Sequence, residues 1–359
     1  MKIALLADVH LGDKRFSKIE NNKFLKIEHQ KQSLIEFQNY VIKNEIEEVF
    51  IAGDLLDSKI LNLEYINFLI DWLNYFEWSQ THVRIIAGNH EAGSNFFSLD
   101  FLKNIEYEYI HYYNEPKFWF IENFSFLFFP FVNQQIKNSY NIKNEQELLN
   151  KILKETNKKT IIIAHSHDAM VKIRNKELRD EASLDFDSSL CPLFITGHIH
   201  DHQIYKKKNT EFIYIGALNY LDFGDSPNNH RGFLILDLKE NFKYEIEKIK
   251  LKNEIKYYTF ELEKTNEEEI NKKVKENDSL KLKIKNKKSL DIKGIENKIN
   301  CKNIFFEEVE NENTINIILN KELSSNQLVE KVINESEHSL RRKKQLKMLS
   351  QKIIKGEIL

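Results

Sequence analysis

The chain begins with MKIALLADVH (residues 1–10), in which the apolar run at 3–7 is followed at once by Asp8 and His10. A short, continuous apolar run that ends in polar residues is typical of a buried strand. The same pattern recurs four times, at residues 49–52, 83–87, 161–164 and 193–196. Apolar residues at helical spacing lie between the first runs. The alternation of strands and helices predicts a buried α/β sheet.

Each of the five predicted strands ends in polar residues of the metal-ligand type. In chain order they are Asp8 and His10, then Asp54, then Asn89, His90 and Glu91, then His165, and finally His198 and His200. Sites in open α/β sheets form beyond the carboxyl ends of the strands, so we expect these loops to meet in one cleft. Glycines at 53, 88 and 197 would let the backbone turn sharply there.

The ligand set is rich in oxygen and nitrogen and contains no thiolate, which suits manganese, iron or zinc. Two such metals bridged by one carboxylate form a clamp for in-line phosphoryl displacement. A protonated imidazole nearby can hold the phosphate and protonate the leaving oxygen. Each motif alone is common in turns and on surfaces. The prediction therefore depends on five motifs occurring in order, each just after an apolar run.

Length and composition limit the alternatives. The chain has 359 residues, 41% of them hydrophobic and 30% charged, which predicts two globular domains with a tail. It contains no uncharged apolar run of about 18 residues, so we expect no membrane span. A carboxylate at residue 8 argues against a secretory signal. Two distant cysteines, Cys191 and Cys301, indicate a reducing compartment.

Charge divides the chain near residue 240. Residues 1–240 hold 27 Lys and Arg against 34 Asp and Glu, whereas residues 241–359 hold 26 against 21. We therefore predict a catalytic domain at 1–240, a small α/β domain at 241–335 and a helical tail at 336–359. An acidic front half would need metals, the basic half or a partner to hold a polyanionic substrate.

The back half contains one alternating segment, 280–285, in which Leu280, Leu282 and Ile284 would face a core. Its other residues are Lys281, Lys283 and Lys285. A row of lysines can contact phosphates, or it can protect an edge strand from aggregation, and the pattern leaves both open. The tail carries a basic patch at 341–344 and an apolar stripe. This pattern suits a solvated helix of the small domain, binding to DNA, or docking in a groove, and the last is favoured.

The ordered motifs D-x-H, GD, GNH, H and GHxH resemble those of the calcineurin-like metallophosphoesterase superfamily. The match to the SbcD-type repair nucleases, and to phage recombination nucleases in particular, comes from the opening DVHLG, from GDLLD at 53–57 and from segments at 214–217, 222–225 and 231–233. The resemblance implies a four-layer α/β/β/α domain, a smaller α/β capping domain and a helical tail. It also implies a DNA exonuclease and endonuclease that uses two divalent metal ions, most commonly Mn²⁺.

The resemblance also assigns roles to matched positions. The first metal would be held by Asp8, His10, Asp54 and His200, and the second by Asp54, Asn89, His165 and His198. Asp54 would bridge the metals, and His90 would be the acid that contacts the phosphate. Asp57 stands where many members carry a histidine linked to exonuclease action, so the exonuclease–endonuclease balance stays open. Asp57 and Glu91 are candidates for supporting the ligands from outside.

Partners are implied by the same resemblance. They are DNA, seated with help from the capping domain, an SMC-like ATPase of the SbcC type that binds the tail, and a second copy of the chain bound through helices before residue 80. The implied location is the cytoplasm of a bacterial or phage-infected cell. Two alternatives share the motifs: a phosphomonoesterase or small-molecule phosphodiesterase, and a non-catalytic scaffold on the same fold. The complete ligand set and His90 argue against the scaffold.

Overall fold

A computed structural model describes residues 1–156, 158–166, 186, 188–225, 229–285 and 291–309, together with the backbone of 172–173 and 176–177. Residues 310–335, the last part of the predicted small α/β domain, and the tail predicted at 336–359 lie outside the described residues. None of the helices in the described part of the chain combines the length and the apolar character that crossing a membrane requires.

The strands, in chain order, are β1 Lys2–Leu6, β2 Ile19–Glu20, β3 Lys23–Phe24, β4 Glu48–Ala52, β5 His82–Ile86, β6 Ile110–Tyr113, β7 Lys117–Ile121, β8 Phe124–Phe129, β9 Thr160–Ala164, β10 Lys172–Ile173, β11 Lys176–Glu177, β12 Leu193–Thr196, β13 Gln203–Lys207, β14 Thr210–Tyr214, β15 Gly232–Leu238, β16 Tyr244–Lys250, β17 Tyr257–Glu261, β18 Ser279–Ile284 and β19 Asn303–Glu308. The α-helices are α1 Leu25–Lys43, α2 Leu63–Trp78, α3 Gln134–Tyr140, α4 Glu145–Lys154, α5 Glu267–Lys273 and α6 Ile292–Lys298, and 3₁₀ helices span Ser98–Asn104 and Glu240–Phe242.

Two six-stranded mixed sheets form the larger part of the described chain. The first has the order β16-β15-β1-β4-β5-β6, and the second has the order β13-β14-β12-β9-β8-β7. Strands β1, β4, β5 and β6 run parallel, as do β14, β12, β9 and β8. All five strands predicted before the metal motifs are present, three in the first sheet and two in the second. Their carboxyl ends therefore meet from two sheets rather than from one.

Alternation along the strands separates two apolar layers. One face of each sheet contributes to a buried cluster between the sheets, which includes Ile3, Phe50, Phe126 and Ile195. The opposite faces pack against helices, α1 and α2 on the first sheet and α4 on the second. Helix α1 buries Leu34, Phe37 and Val41 at helical spacing, which explains why this segment folds as a helix there. The resulting architecture is the α/β/β/α arrangement that the resemblance implied.

A smaller domain follows strand β16 along the chain. Its parallel sheet has the order β17-β18-β19 and packs against helices α5 and α6 through an apolar cluster that contains Leu280 and Leu282. Among the described strands β18 is central, so Lys281 and Lys283 do not protect a sheet edge, and Lys285 follows the end of the strand. Strand β16 pairs with β15, so the first sheet extends beyond the boundary predicted at residue 240. Strand β16 is exposed on one face and is rich in Lys and Glu, as is the domain that follows it.

Candidate metal centre

The first two loops lie side by side after β1 and β4. The backbone N–H of Asp8 donates to the Gly53 carbonyl at 3.2 Å, and that of His10 donates to the Asp54 carbonyl at 3.0 Å. These bonds extend the pairing of the strands into the loops and turn both sets of side chains toward the same cleft. Gly53 has a φ of +81°, and a Cβ there would lie 2.4 Å from Nδ1 of His165, so this position requires glycine.

The sharp turns predicted at Gly88 and Gly197 have another cause. Neither residue has a left-handed φ. A Cβ at Gly88 would lie 2.2 Å from the Asp54 backbone nitrogen, and one at Gly197 would lie 2.3 Å from the Ala52 carbonyl oxygen. Both glycines are therefore needed because the loops approach each other closely, not because the chain turns through a left-handed conformation.

Three ligands predicted for the second metal meet at one point. The Asn89 side-chain oxygen lies 2.9 Å from Nε2 of His165 and 3.0 Å from Nδ1 of His198. Nδ1 of His165 donates to the Ala52 carbonyl at 2.8 Å, which directs Nε2 into the cleft. Burial lowers the pKa of His165, but the Asp54 and Asp8 carboxylates outweigh burial and raise it to about 10. The cluster thus favours positive charge at this point.

The ligands predicted for the first metal form a neighbouring group. Asp8, His10 and His200 each place one donor atom within 4.8 Å of the others. Asp8 and His10 are almost fully buried. Among the described residues, Asp8 Oδ2 and His10 Nε2 have no hydrogen-bond partner. Because a buried polar atom without a partner costs free energy, these atoms fit a site that a cation completes.

Asp54 lies between the two groups. Its Oδ2 atom is 3.7 Å from Nε2 of His10 and 3.3 Å from Nε2 of His165. Burial would raise the pKa of Asp54, but His165, His10 and His90 together hold it well below its usual range. One ionised oxygen therefore faces both groups of ligands, which is the position that a bridging carboxylate requires.

His90 lies at the edge of the cluster and is about one-third exposed, at 36%. Its backbone N–H donates to Asp54 Oδ1 at 2.8 Å, and its Nδ1 donates to the Asp57 carbonyl at 2.9 Å. Its Nε2 lies 4.0 Å from Asp54 Oδ2. Hydrogen bonding to Asp57 raises the pKa of His90 to about 9, so the imidazole is a cation at neutral pH.

Asp57 connects this imidazole to the first group of ligands. Its Oδ1 atom lies 3.3 Å from Nδ1 of His10 and 3.5 Å from Nδ1 of His90. Burial would raise the pKa of Asp57, but the two imidazoles outweigh burial and lower it. Asp57 is therefore in a position to orient both rings.

Glu91 binds the backbone of the loops that carry the candidate ligands. Its buried carboxylate accepts hydrogen bonds from the backbone N–H groups of Gly88 at 2.8 Å, Leu56 at 2.8 Å and Asp54 at 3.2 Å. Burial and the neighbouring Asp54 raise its pKa to about 7. Three donors from two loops nevertheless match the ionised carboxylate, which can only accept. Glu91 thus joins the second loop to the third.

Arg231 was not among the predicted site residues. Its guanidinium is buried, donates to the His200 carbonyl, and pairs with Asp201 at 3.1 Å and Asp225 at 3.0 Å. It therefore fixes the loop that carries His200. Arg231 lies in the segment at 231–233, which contributed only to the resemblance to a family. Nothing in that segment indicated that Arg231 would contact the loop of His200.

The three candidate DNA-binding lysines lie on the small domain, outside the metal cluster. Lys281 lies 3.5 Å from Glu307, and its ammonium is 4.8 Å from the centre of the Phe223 ring. Lys285 lies 2.8 Å from Glu263. Strand pairing also places Lys283 between glutamates of β17 and β19. Acidic neighbours therefore weaken the positive potential of this row.

Known proteins match this chain in sequence and in fold. The SbcD component of the SbcCD nuclease of Staphylococcus epidermidis is 27% identical over 259 residues, which cover 67% of each protein. A dimetal phosphatase from Danio rerio superposes with a TM-score of 0.44 and 14% identity, over 67% of this chain and 93% of that chain. GAP50 of Plasmodium, the anchor in the inner membrane complex, has a TM-score of 0.41 and 12% identity, over 71% and 90%. The model of the calcineurin-like phosphoesterase family matches residues 1–202. This match covers more than half of the sequence, and the chain belongs to the calcineurin-like phosphoesterase family.

Proposed function

We propose that this chain is a two-metal DNA nuclease that hydrolyses phosphodiester bonds by exonuclease and endonuclease action. The observation that carries the proposal is the position of Asp54 Oδ2, 3.7 Å from His10 and 3.3 Å from His165. Asp8, His10, Asp54 and His200 would hold one cation, and Asp54, Asn89, His165 and His198 would hold the other. Mn²⁺ suits this oxygen and nitrogen set. When bound, the two cations supply charge neutralisation and an activated water.

The protein's own groups account for the remaining chemistry. His90 carries a proton at neutral pH and is accessible from the cleft, so it can bind a phosphate oxygen and donate a proton to the leaving oxygen. Asp57 holds that imidazole through two contacts, and Glu91 fixes the backbone on which Asp54 and Gly88 lie. The reacting phosphate is thus positioned by side chains whose orientation is set by neighbouring acidic residues.

DNA as the substrate is supported by the SbcD-type relative and by the basic back half of the sequence. We extend the proposal to a recombination or repair complex with an SbcC-type ATPase, bound through residues 336–359, and to a homodimer. The cytoplasm is the compartment that fits such a complex. The small domain would help to seat the duplex, with Lys281, Lys283 and Lys285 as candidate contacts.

The test is degradation of end-labelled duplex and single-stranded DNA by the purified chain, with Mn²⁺, Mg²⁺ or a chelator. We expect Mn²⁺-dependent cutting that His90→Ala abolishes and that His111→Ala retains, because His111 packs near Trp119 outside the cluster. Calorimetry should show that His90→Ala still binds metal. Turnover of a chromogenic phosphodiester without any cutting of DNA, by the chain alone or with the ATPase partner added, would overturn the nuclease proposal and favour a small-molecule phosphodiesterase.

Loss of metal binding in His90→Ala would contradict the placement of His90 outside the ligand set. Absence of metal binding by the unmodified chain would overturn the two-metal proposal and favour a scaffold. The assay is then repeated with the ATPase partner added. Cutting that occurs only with the partner would show that the chain binds metal but acts as a nuclease only within the complex.

A further inference from the structure

Arg15 lies at the rim of the metal cluster with its guanidinium in a fixed orientation. Its Nε and Nη2 atoms each donate to a different oxygen of Asp13 at 2.9 Å. Its side chain is 55% exposed. The Nη2 atom lies 4.0 Å from Asp57 Oδ1, the oxygen that contacts both His10 and His90. A permanent positive charge is therefore presented to solvent one contact away from the imidazole that faces the cleft.

The partner of Arg15 is itself firmly held. Asp13 is fully buried and accepts a hydrogen bond at 2.6 Å from the buried ammonium of Lys26. Lys26 also donates to the Leu221 carbonyl at 2.5 Å. Burial would raise the pKa of Asp13, but Arg15 and Lys26 hold it below its usual range, so the carboxylate stays ionised. Because a buried ion pair adds little net stability, this arrangement is better explained by the orientation it gives to Arg15.

The chain on the other side of Arg15 is fixed by the small domain. Asn303 donates to the Phe16 carbonyl at 3.2 Å and accepts from the backbone N–H of Lys18 at 3.1 Å. The Phe16 ring packs edge-on against Phe223, with 5.0 Å between the ring centres. Phe16 also has a left-handed φ of +54°, a conformation that persists only when its surroundings determine it. Arg15 therefore sits on backbone held from both sides.

We propose that Arg15 binds a phosphate that neighbours the scissile phosphate and so selects polynucleotides over small diesters. The inference rests on the proposed nuclease function. A guanidinium offers paired donors that match phosphate oxygens, and a guanidinium already oriented by Asp13 loses less entropy on binding. The catalytic domain is acidic overall, so a cation at this rim also offsets repulsion of a polyanion. A small diester has a single phosphate and cannot occupy both positions.

The first test measures binding without catalysis. Fluorescence anisotropy of a labelled single-stranded oligonucleotide is titrated with protein in chelator over a series of salt concentrations. Arg15→Gln keeps a side chain that can hydrogen-bond to Asp13 but removes the charge. We expect the slope of log K against log salt to fall in magnitude by about 0.7, the value for one lost phosphate contact on a single strand.

Lys14→Ala is the matched control, because it removes the same charge one residue away. The Lys14 ammonium lies over the Phe24 ring, 5.1 Å from the ring centre, and not beside Asp57. We expect Lys14→Ala to keep the slope of the unmodified protein. Equal slopes for Arg15→Gln and the unmodified protein would overturn the proposal, and so would equal losses of slope in the two variants.

The second test compares substrates. With Mn²⁺ present, we expect Arg15→Gln to lower kcat/KM about tenfold on an oligonucleotide and less than threefold on a chromogenic diester. Arg15→Lys should give an intermediate loss, because it keeps the charge but not the paired donors. Equal losses on both substrates would assign Arg15 to the integrity of the site and refute the selective role. If the unmodified chain turns over the diester but cuts no oligonucleotide, either alone or with the ATPase partner added, the nuclease function itself is refuted, and this inference is refuted with it.

Discussion

Replacing Glu91 by Gln tests how the cluster is supported. The carboxylate accepts three backbone hydrogen bonds, and two of them, from Gly88 and Asp54, go to the same oxygen. If the amide oxygen of glutamine takes that position, its NH₂ group must face the N–H of Leu56. One buried donor then loses its acceptor, at a cost of about 1–3 kcal/mol. The two remaining bonds weaken, but removing a buried charge beside Asp54 offsets that loss.

We therefore expect Glu91→Gln to lower the free energy of unfolding by about 1–3 kcal/mol. The metal affinity should fall about 10- to 100-fold, since Asp54 and Gly88 lose their common anchor. Urea denaturation in chelator measures the first effect, and calorimetric titration with Mn²⁺ measures the second. Glu106→Gln, at an exposed position, is the control and should stay within about 0.5 kcal/mol of the unmodified protein. If Glu91→Gln unfolds at the same urea concentration and binds Mn²⁺ equally well, the bracing role of Glu91 is refuted.

Three further substitutions test other contacts. Asp54→Ala should lower the bound metal from two ions per chain to none by plasma mass spectrometry, because one oxygen faces both groups; two retained ions would contradict bridging. Arg231→Met should destabilise the fold by about 3–5 kcal/mol in urea, since it removes the buried guanidinium that pairs with Asp201 and Asp225, and an unchanged midpoint would show that the two carboxylates do not need this partner. Asn303→Ala should speed hydrogen exchange at the Lys18 amide, which loses its acceptor; unchanged exchange would mean that the small domain does not hold this loop.

The sequence was most informative where a signal is local. Five apolar runs predicted five strands, and all are present with bounds shifted by at most one residue. The candidate ligands that follow them could be proposed because polar residues at strand ends are visible without any tertiary information. The division of the strands into two sheets could not be predicted in this way, because sheet membership depends on pairing between distant segments. Only the resemblance to a known family supplied the four-layer arrangement.

Composition misplaced one boundary for a physical reason. Strand β16 is an edge strand with one exposed face, so it alternates Lys and Glu with apolar residues and has the same character as the domain that follows. The alternation at 280–285 correctly predicted that Leu280 and Leu282 face a core. The glutamates beside the lysines come from the register of β17 and β19, which a single segment cannot reveal.

Buried polar networks were the least predictable part of the site. Asp13, Arg15 and Lys26 look like ordinary charges in a solvated loop, and only the folded chain shows that two of them are buried. Arg231 likewise follows no ligand motif. These residues contact the site through tertiary packing, so neither spacing nor periodicity indicates their role.

The backbone of the predicted ligands argues against a scaffold that has merely kept this fold. Asp8, His10, Asp54 and His198 all have left-handed φ values between 50° and 77°. For residues other than glycine, this conformation costs about 1–2 kcal/mol each, so four of them place a substantial strain on a small region. Strain of this kind persists where the surrounding structure enforces it, and it is concentrated at functional sites. A cation bound only by the folded state would offset the cost by mass action. A chain that held no metal would gain stability by relaxing these loops, and the retained strain therefore favours a working metal centre.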